Sequence, residues 1–148
     1  MKLTPKTLTV FDYFTPFDQA TDQRGDLDLG SGGPVLLNLK DNSGVTHKLL
    51  VVAGKDLKIY VADRNNLGKQ TPNNSGIYQV IGGPPGNLPL PMPQEVFGPG
   101  AFLNGAMYWV PRFNNPMEKF VFSNAKLGTS PAAKSNCHLP PPRHSAGH

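Results

Sequence analysis

Glycine and proline interrupt this chain so often that long helices have no room to form. The sequence of 148 residues contains 16 glycines and 16 prolines, spread over its whole length. Proline removes a backbone donor and clashes inside a helix, whereas glycine weakens regular elements but permits tight turns. No long window carries apolar residues at helical spacing. This pattern predicts many short strands joined by turns.

Seven short segments have the composition of β-strands. Each is rich in leucine, β-branched or aromatic side chains and is bounded by turn-forming residues. They are residues 8–14, 34–39, 48–54 and 58–63 in the first half, and residues 97–103, 106–110 and 118–123 in the second. Between two of them lies Asn104-Gly105, a pair typical of tight hairpins because both residues tolerate positive φ. With 38% hydrophobic residues, the chain has enough for one all-β domain.

The two halves share a weak internal repeat. Each has a Gly-Pro strand start, at residues 33–34 and 98–99, followed by a hairpin and then a strand that ends near Asn and Leu-Gly. Repeats of short antiparallel strands are typical of stacked or radial sheets, with about 40–45 residues in a four-stranded propeller blade. The connections at 64–76 and 82–95 are then insertions, and the second is Pro-rich and expected to be extended on the surface.

The segments DYFTPFDQ, DLDLGSGGPVLL, LLVVAGKDLKIYVADRNNLG, VFGPGAFLNGAMYWV and KFVFSNAKLGTSP together resemble the bacterial quinoprotein-like β-propellers. The blades of that family are related to the repeats of pyrroloquinoline-quinone (PQQ) dehydrogenases. The resemblance covers residues 8–131 and implies an all-β fold of antiparallel four-stranded blades. It implies an incomplete propeller over residues 1–131, with blades at about 29–81 and 97–131 and, at residues 8–14, one strand of a third. Residues 132–148 are expected to form an irregular Pro- and His-containing tail, so the chain is expected to be a fragment or to have an altered end.

Two turns depart from the family pattern. The family usually has glycine after the Lys-Asp pair of the blade hairpin, where this chain has Leu57. It usually has Asn-Gly-Lys in the later turn, where this chain has Asn124-Ala125-Lys126. A non-glycine residue with positive φ costs on the order of 1 kcal/mol.

Of all segments in the sequence, DLDLGSGGP is the most similar to a ligand-binding loop. A calcium loop of the EF-hand type starting at Asp26 would need glycine and glutamate where the chain has Ser31 and Leu37. A phosphate-binding loop would need a helix after the glycines, but Pro34 and an apolar strand follow. We therefore interpret the stretch as a strand whose glycines allow close backbone approach, with Asp26 and Asp28 hydrogen-bonded to turn amides or to a neighbouring blade. Both remain weak candidates for a metal site.

No residue is predicted to be catalytic. His138, His144 and His148 lie in the tail without zinc-ligand spacing, and His47 is interpreted as a solvated loop residue. Trp109, beside Tyr108, is expected to pack between sheets rather than to stack on a cofactor. No set of residues matches a PQQ site, so no cofactor is predicted and no cofactor-binding residue is assigned; PQQ and calcium would belong only to a full-length parent.

The charge distribution and the cysteine content limit which binding partners and which cross-links are expected. The ten basic and ten acidic residues of positions 1–118 cancel, and the net charge of +4 comes from four scattered cations further on. Because the basic residues form no continuous stripe, binding to nucleic acid is not expected. The single cysteine, Cys137, excludes an internal disulfide. No export signal or membrane span is visible, whereas the family resemblance implies a periplasmic or extracellular location.

The leading functional interpretation is a non-enzymatic fragment of a quinoprotein-like β-propeller that acts as a scaffold or binding module. Its partner, a protein or a small molecule, is not identified by the sequence, and self-association through uncovered blade surfaces is expected. The alternative is a part of a PQQ-dependent dehydrogenase that contributes to a cofactor site in the full-length protein. A third alternative is a self-contained small β-sandwich or barrel.

Overall fold

The computed structural model describes residues 1–82, 91–112 and 114–138, with side chains in the last strand described up to residue 136. It is built from antiparallel sheets of two, four and five strands. The all-β prediction is therefore confirmed. The Pro-rich residues 83–90 and the tail residues 139–148, with His144 and His148, lie outside the described residues.

The four-stranded sheet, called here the first sheet, is a simple antiparallel meander. Its strands are β3 (Val35–Lys40), β4 (Thr46–Ala53), β5 (Ile59–Asp63) and β6 (Gln79–Ile81), in that order. Val51 in β4 pairs with Val35 on one side and with Val61 on the other. Because opposite residues of neighbouring strands share a face, these valines form one apolar row across the sheet.

The five-stranded sheet, called the second sheet, repeats this meander. Its strands are β7 (Ala101–Leu103), β8 (Ala106–Trp109), β9 (Pro116–Ser123), β10 (Lys126–Leu127) and β11 (Ala133–His138). The first three pair in chain order, and both β10 and β11 pair with the remaining edge of β9. Two short strands therefore stand where the first sheet has the single strand β6.

The remaining elements lie outside the two large sheets, and most of them belong to the amino-terminal segment before β3. Strand β1 (Lys2–Leu3) pairs with β2 (Val10–Asp12) as a small hairpin, and helix α1 (Gln19–Arg24) follows. A single-turn 3₁₀ helix occupies Leu29–Ser31, and Pro72–Asn74, between β5 and β6, form a turn in which Asn73 has a non-helical φ of 52°.

The hydrophobic core lies between the two sheets. Side chains of the first sheet such as Leu49, Val51 and Ile59 are fully buried against Met107 and Phe120 of the second. Gln79 links the sheets further, because its side-chain amide donates to the carbonyl of Leu127 at 2.7 Å and accepts from the amide of Leu127 at 3.0 Å. The faces turned toward this core are called inward below, and the opposite faces outward.

The predicted turns are confirmed where they depend on backbone conformation. Asn104 and Gly105 have φ of 49° and 75°. The two non-glycine replacements, Leu57 and Ala125, also have positive φ, at 63° and 57°. These turns keep the conformation that glycine favours although the glycine itself is missing.

Two structural predictions are wrong. The stretch DLDLGSGGP is not a strand: Asp26 has a φ of 56°, Leu29–Ser31 form a 3₁₀ turn, and β3 begins only at Val35. The predicted close approach does occur, since a Cβ on Gly32 would lie 1.6 Å from the carbonyl oxygen of Ala53. The glycine is therefore needed where the loop crosses the end of β4.

The second correction concerns the tail. Residues 133–138 are not irregular, because they form β11 beside β9. Glu118 in β9 is completely buried, and its Oε1 lies 2.7 Å from Nζ of Lys134 in β11. This contact is an ion pair rather than an aligned hydrogen bond, since neither carboxylate oxygen has a hydrogen-bond partner among the described residues. A buried carboxylate without a cation nearby is strongly destabilising. The ion pair with Lys134 therefore stabilises the pairing of residues 133–138 with β9.

Candidate functional site

Four loops meet at one end of the two sheets, and this loop end contains two of the candidate residues of the sequence, Asp26 and Asp28. The amide of Lys55 donates to Asp28, the Ser31 hydroxyl donates to the carbonyl of Val96 at 2.7 Å, and the amide of Arg112 donates to Glu95. Residues from both sheets are thereby held at one place. Loops carried on a rigid sheet scaffold are the usual location of binding sites.

Asp26 and Asp28 do come together, but the cation between them is a side chain. Nζ of Lys55 lies 2.9 Å from Oδ2 of Asp26 and 2.7 Å from Oδ2 of Asp28. The hydrogen bonds to Asp28 and Asp26 raise the pKa of Lys55 above its usual value. The sequence predicted turn amides or a neighbouring blade as the partners of the two carboxylates. In the structure their partner is this ammonium group instead. The two carboxylates thus neutralise a lysine on the β4–β5 turn.

Beside this cluster lies an exposed aromatic ring, which sequence reasoning did not single out. Phe97 is 53% exposed, with Nζ of Lys55 5.8 Å and Cζ of Arg112 5.3 Å from its ring centroid. Arg112 is held by Glu95, with Nη1 2.6 Å from Oε2. A cation at this distance from an aromatic ring face is attracted electrostatically to the ring, which is a cation–π interaction. A shallow open pocket lined by Asp26 and these four residues results.

This pocket offers an aromatic surface and paired charges, and its lining residues include no hydroxyl, thiol or imidazole group. Its potential nucleophiles are the Lys55 amine and the carboxylates of Asp26 and Glu95. In the structure these groups are held in ion pairs, Lys55 with Asp26 and Asp28, and Glu95 with Arg112.

A second charged cluster is buried under α1. Nζ of Lys58 lies 2.6 Å from Asp18 and 3.5 Å from Asp56, and the hydroxyl of Tyr60 donates to Asp56 at 2.6 Å. Burial raises the pKa of Asp56 and of Tyr60, so the phenol stays protonated. Burial acts to lower the pKa of Lys58, but the hydrogen bond to Asp18 and the nearby carboxylates raise it overall.

Two other candidates occupy structural positions. His47 is part of strand β4, not of a loop, and its Nε2 lies 2.8 Å from Oδ2 of Asp41 in the hairpin turn. The hydroxyl of Ser43, followed by His47, lowers the pKa of Asp41 well below its usual range. Trp109 is buried in the core with its ring edge-to-face against Phe120 at 5.7 Å, which confirms the packing interpretation.

The described residues contain no group of three or more His, Cys, Asp or Glu side chains arranged to hold a metal ion. Over the same part of the chain, no helix has the length and apolar character needed to cross a membrane.

The outward faces of the two sheets form the third surface of interest. On the first sheet this face carries Leu50, Val52 and Tyr60, and Phe14 from the amino-terminal segment packs on Tyr60 with ring centroids 5.2 Å apart. A small apolar pocket of ≈ 270 Å³ remains between them. The outward face of the first sheet is therefore covered at Val52 and Tyr60, whereas Leu36 at its edge is 59% exposed.

The second sheet has an apolar outward face too, but it is open. Leu103 pairs with Ala106, which in turn pairs with Val121, so the three share the outward face. Leu103 is 59% exposed and Val121 39% exposed. Tyr108 lies on the same face, opposite Lys119.

Comparisons of this chain with protein-family models, with curated proteins and with solved structures gave no match. The resemblance to quinoprotein-like propellers therefore stays a prediction from the sequence.

Proposed function

We propose that this chain is a non-catalytic scaffold or binding module of the propeller type, in which the two sheets are neighbouring blades. In this proposal the outward face of the second sheet packs against a further antiparallel sheet of the same kind. The observation that carries the proposal is that both sheets have apolar residues on both faces. The amino-terminal segment packs on part of the outward face of the first sheet, whereas Leu103 and Val121 on the outward face of the second sheet are exposed.

An antiparallel sheet at the edge of a protein normally has one polar, solvated face. The outward face of the second sheet instead carries Leu103, Ala106 and Val121 in one apolar row, in which Leu103 and Val121 are exposed and Ala106 between them is buried. Apolar patches of this kind mark interaction surfaces more often than free surface. Stacked blades supply the partner that such a face requires.

The dehydrogenase alternative finds less support at the loop end. A quinone site would need cations and an aromatic ring free to contact a ligand. Lys55 and Arg112 do flank Phe97, but both cations are already bound to carboxylates at 2.9 Å or less. This pairing makes the two cations less available to a quinone, and the scaffold proposal does not depend on a cofactor.

The test is the association state of the full chain, measured by sedimentation velocity across a concentration series, together with binding of the apolar dye ANS. We expect the wild-type chain to self-associate and to bind ANS. We expect the double variant Leu103→Lys/Val121→Lys to shift toward monomer and to lose most of the dye signal. Val45→Lys is the matched control, because Val45 is 56% exposed but lies in the β3–β4 turn. A wild-type chain that is monomeric and dye-negative at every concentration would favour the self-contained sandwich instead.

A further inference from the structure

The residue before helix α1 makes a charged contact with the first sheet. None of its six residues is buried. Asp18, which precedes the helix, makes no side-chain cap to the helix amides. Its Oδ2 is instead 2.6 Å from Nζ of Lys58, whose side chain is only 8% exposed. The position of α1 therefore depends on the polar groups at this contact.

The charges at this contact do not balance. Asp18, Asp22 and Asp56 surround the single ammonium of Lys58, and all three act on its pKa. Asp56 also accepts the hydrogen bond of Tyr60. Three ionised carboxylates around one cation would leave two uncompensated negative charges in a poorly solvated place, which is costly.

One acceptor atom at this contact is unused. Oδ1 of Asp18 is buried and has no hydrogen-bond partner among the described residues. Asp22 lies four residues further along the chain, so its side chain projects from the same face of the helix. Burial, the charge of Asp18 and, more weakly, a side-chain hydrogen bond with Asp18 raise the pKa of Asp22. A hydrogen bond between two carboxyl groups requires that one of them carry a proton.

We propose that the carboxyl groups of Asp18 and Asp22 share one proton, which holds α1 on the first sheet, and that loss of this proton releases the helix. Protonated Asp22 donates to Oδ1 of Asp18, while Lys58 donates to Oδ2. The proton removes one of the two excess negative charges and satisfies the unused acceptor. The device makes the attachment of α1 sensitive to pH near neutrality.

The direction of the effect follows from the groups around Asp22. Burial, followed by the charge of Asp18, raises the pKa of Asp22 from 3.8 to about 6. Lys58 acts in the opposite direction and Asp56 in the same one. Across the pocket in front of α1 stand Asp26 and Asp28, whose charge is offset by Lys55.

Because the folded chain keeps a proton that the unfolded chain releases near pH 3.8, the contribution of this proton is complete below that pH. It is lost as the pH rises from there through about 6, and it is absent above.

The experiment is a carboxyl-carbon NMR titration of the full chain, combined with amide hydrogen exchange in α1 at pH 5 and pH 7.5. We expect Asp22 to titrate near pH 6. After correction for the intrinsic pH dependence of exchange, we expect protection of the Asp22 and Gly25 amides to fall about tenfold between the two pH values.

Asp22→Asn keeps a donor to Asp18 without a titrating group, so its α1 amides should keep their protection at both pH values. Asp26→Asn is the control, since Asp26 is an exposed carboxylate nearby, and it should behave like the wild type. The proposal is overturned if Asp22 of the wild-type chain titrates below pH 4.5, a result that does not depend on any variant folding. It is overturned equally if Asp22→Asn loses protection to the same extent as the wild type.

Discussion

The two sheets have nearly the same topology but different surroundings. The first sheet lies between the second sheet and the amino-terminal segment, so Val52 on its outward face is only 8% exposed, although Leu36 at the edge strand β3 is 59% exposed. No described strand or helix pairs with or is shown to pack on the outward face of the second sheet, where Ala106 is buried but Leu103 is 59% exposed. The comparison shows that the apolar residues of a sheet indicate which of its faces can pack against another layer. For the second sheet, the apolar outward face indicates one more layer than this chain supplies. Three sets of substitutions test this comparison.

The largest effect is expected from an aspartate on the covered outward face. Val52→Asp would bury an unpaired charge beside Tyr60 and should lower the free energy of unfolding by about 3 kcal/mol or more. Val121→Asp, on the open face of the second sheet, should change it by less than about 1 kcal/mol. Urea denaturation followed by circular dichroism at low micromolar concentration measures both. Equal losses at the two positions would mean that the second sheet is covered as well.

A smaller effect is expected at the outer edge of the second sheet, where β11 depends on an ion pair. Lys134→Met would leave the buried carboxylate of Glu118 without its cation and should destabilise the chain by about 2 kcal/mol. The first sheet has no such dependence, because its outer strand β6 is held by the buried Ile81. Lys119→Met, on the opposite face of β9, is the control and should stay within about 0.5 kcal/mol of the wild type. If both lysine variants unfold at the same urea concentration as the wild type, the ion pair does not hold β11.

The smallest effect is expected in the hairpin turns, and here the two sheets should agree. Gly44 and Gly105 have φ of 86° and 75°, and a Cβ on either would meet no atom within 4 Å. Alanine at either position should therefore cost about 1 kcal/mol through backbone strain alone. Gly98→Ala is the matched control, since that glycine has equal space but no positive φ. Thermal melts of the three variants would sharpen the comparison by showing that the sheets differ in their faces and not in their turns.

Much of the fold could be predicted from local sequence. The strands around Val51, Val61 and Phe120 and the turn at Asn104-Gly105 follow from residues close together in the chain. The positive φ of Leu57 and Ala125 was expected from the family resemblance, because the family usually has glycine at these two positions. Strand pairs and turns of this kind form between chain neighbours, so their signals lie within a few residues.

The site was less accessible to such reasoning. Asp26 and Asp28 were identified as a pair, but their partner Lys55 lies 29 and 27 residues further along the chain. Phe97 carries no signal of its own, because an exposed phenylalanine becomes a candidate only when cations from distant loops lie on its ring. The buried Asp18–Lys58 contact joins residues 40 positions apart and could not be seen in either local segment.

The sequence by itself determined that this chain forms short antiparallel strands with apolar faces and where its hairpins turn, since these depend on spacing and on backbone freedom at single residues. Only the tertiary structure decided that DLDLGSGGP bends over the end of β4, that residues 133–138 form a strand, and which charges meet. The reason is physical: a close approach or a buried ion pair depends on the atoms that folding brings from elsewhere, and a local pattern does not contain them.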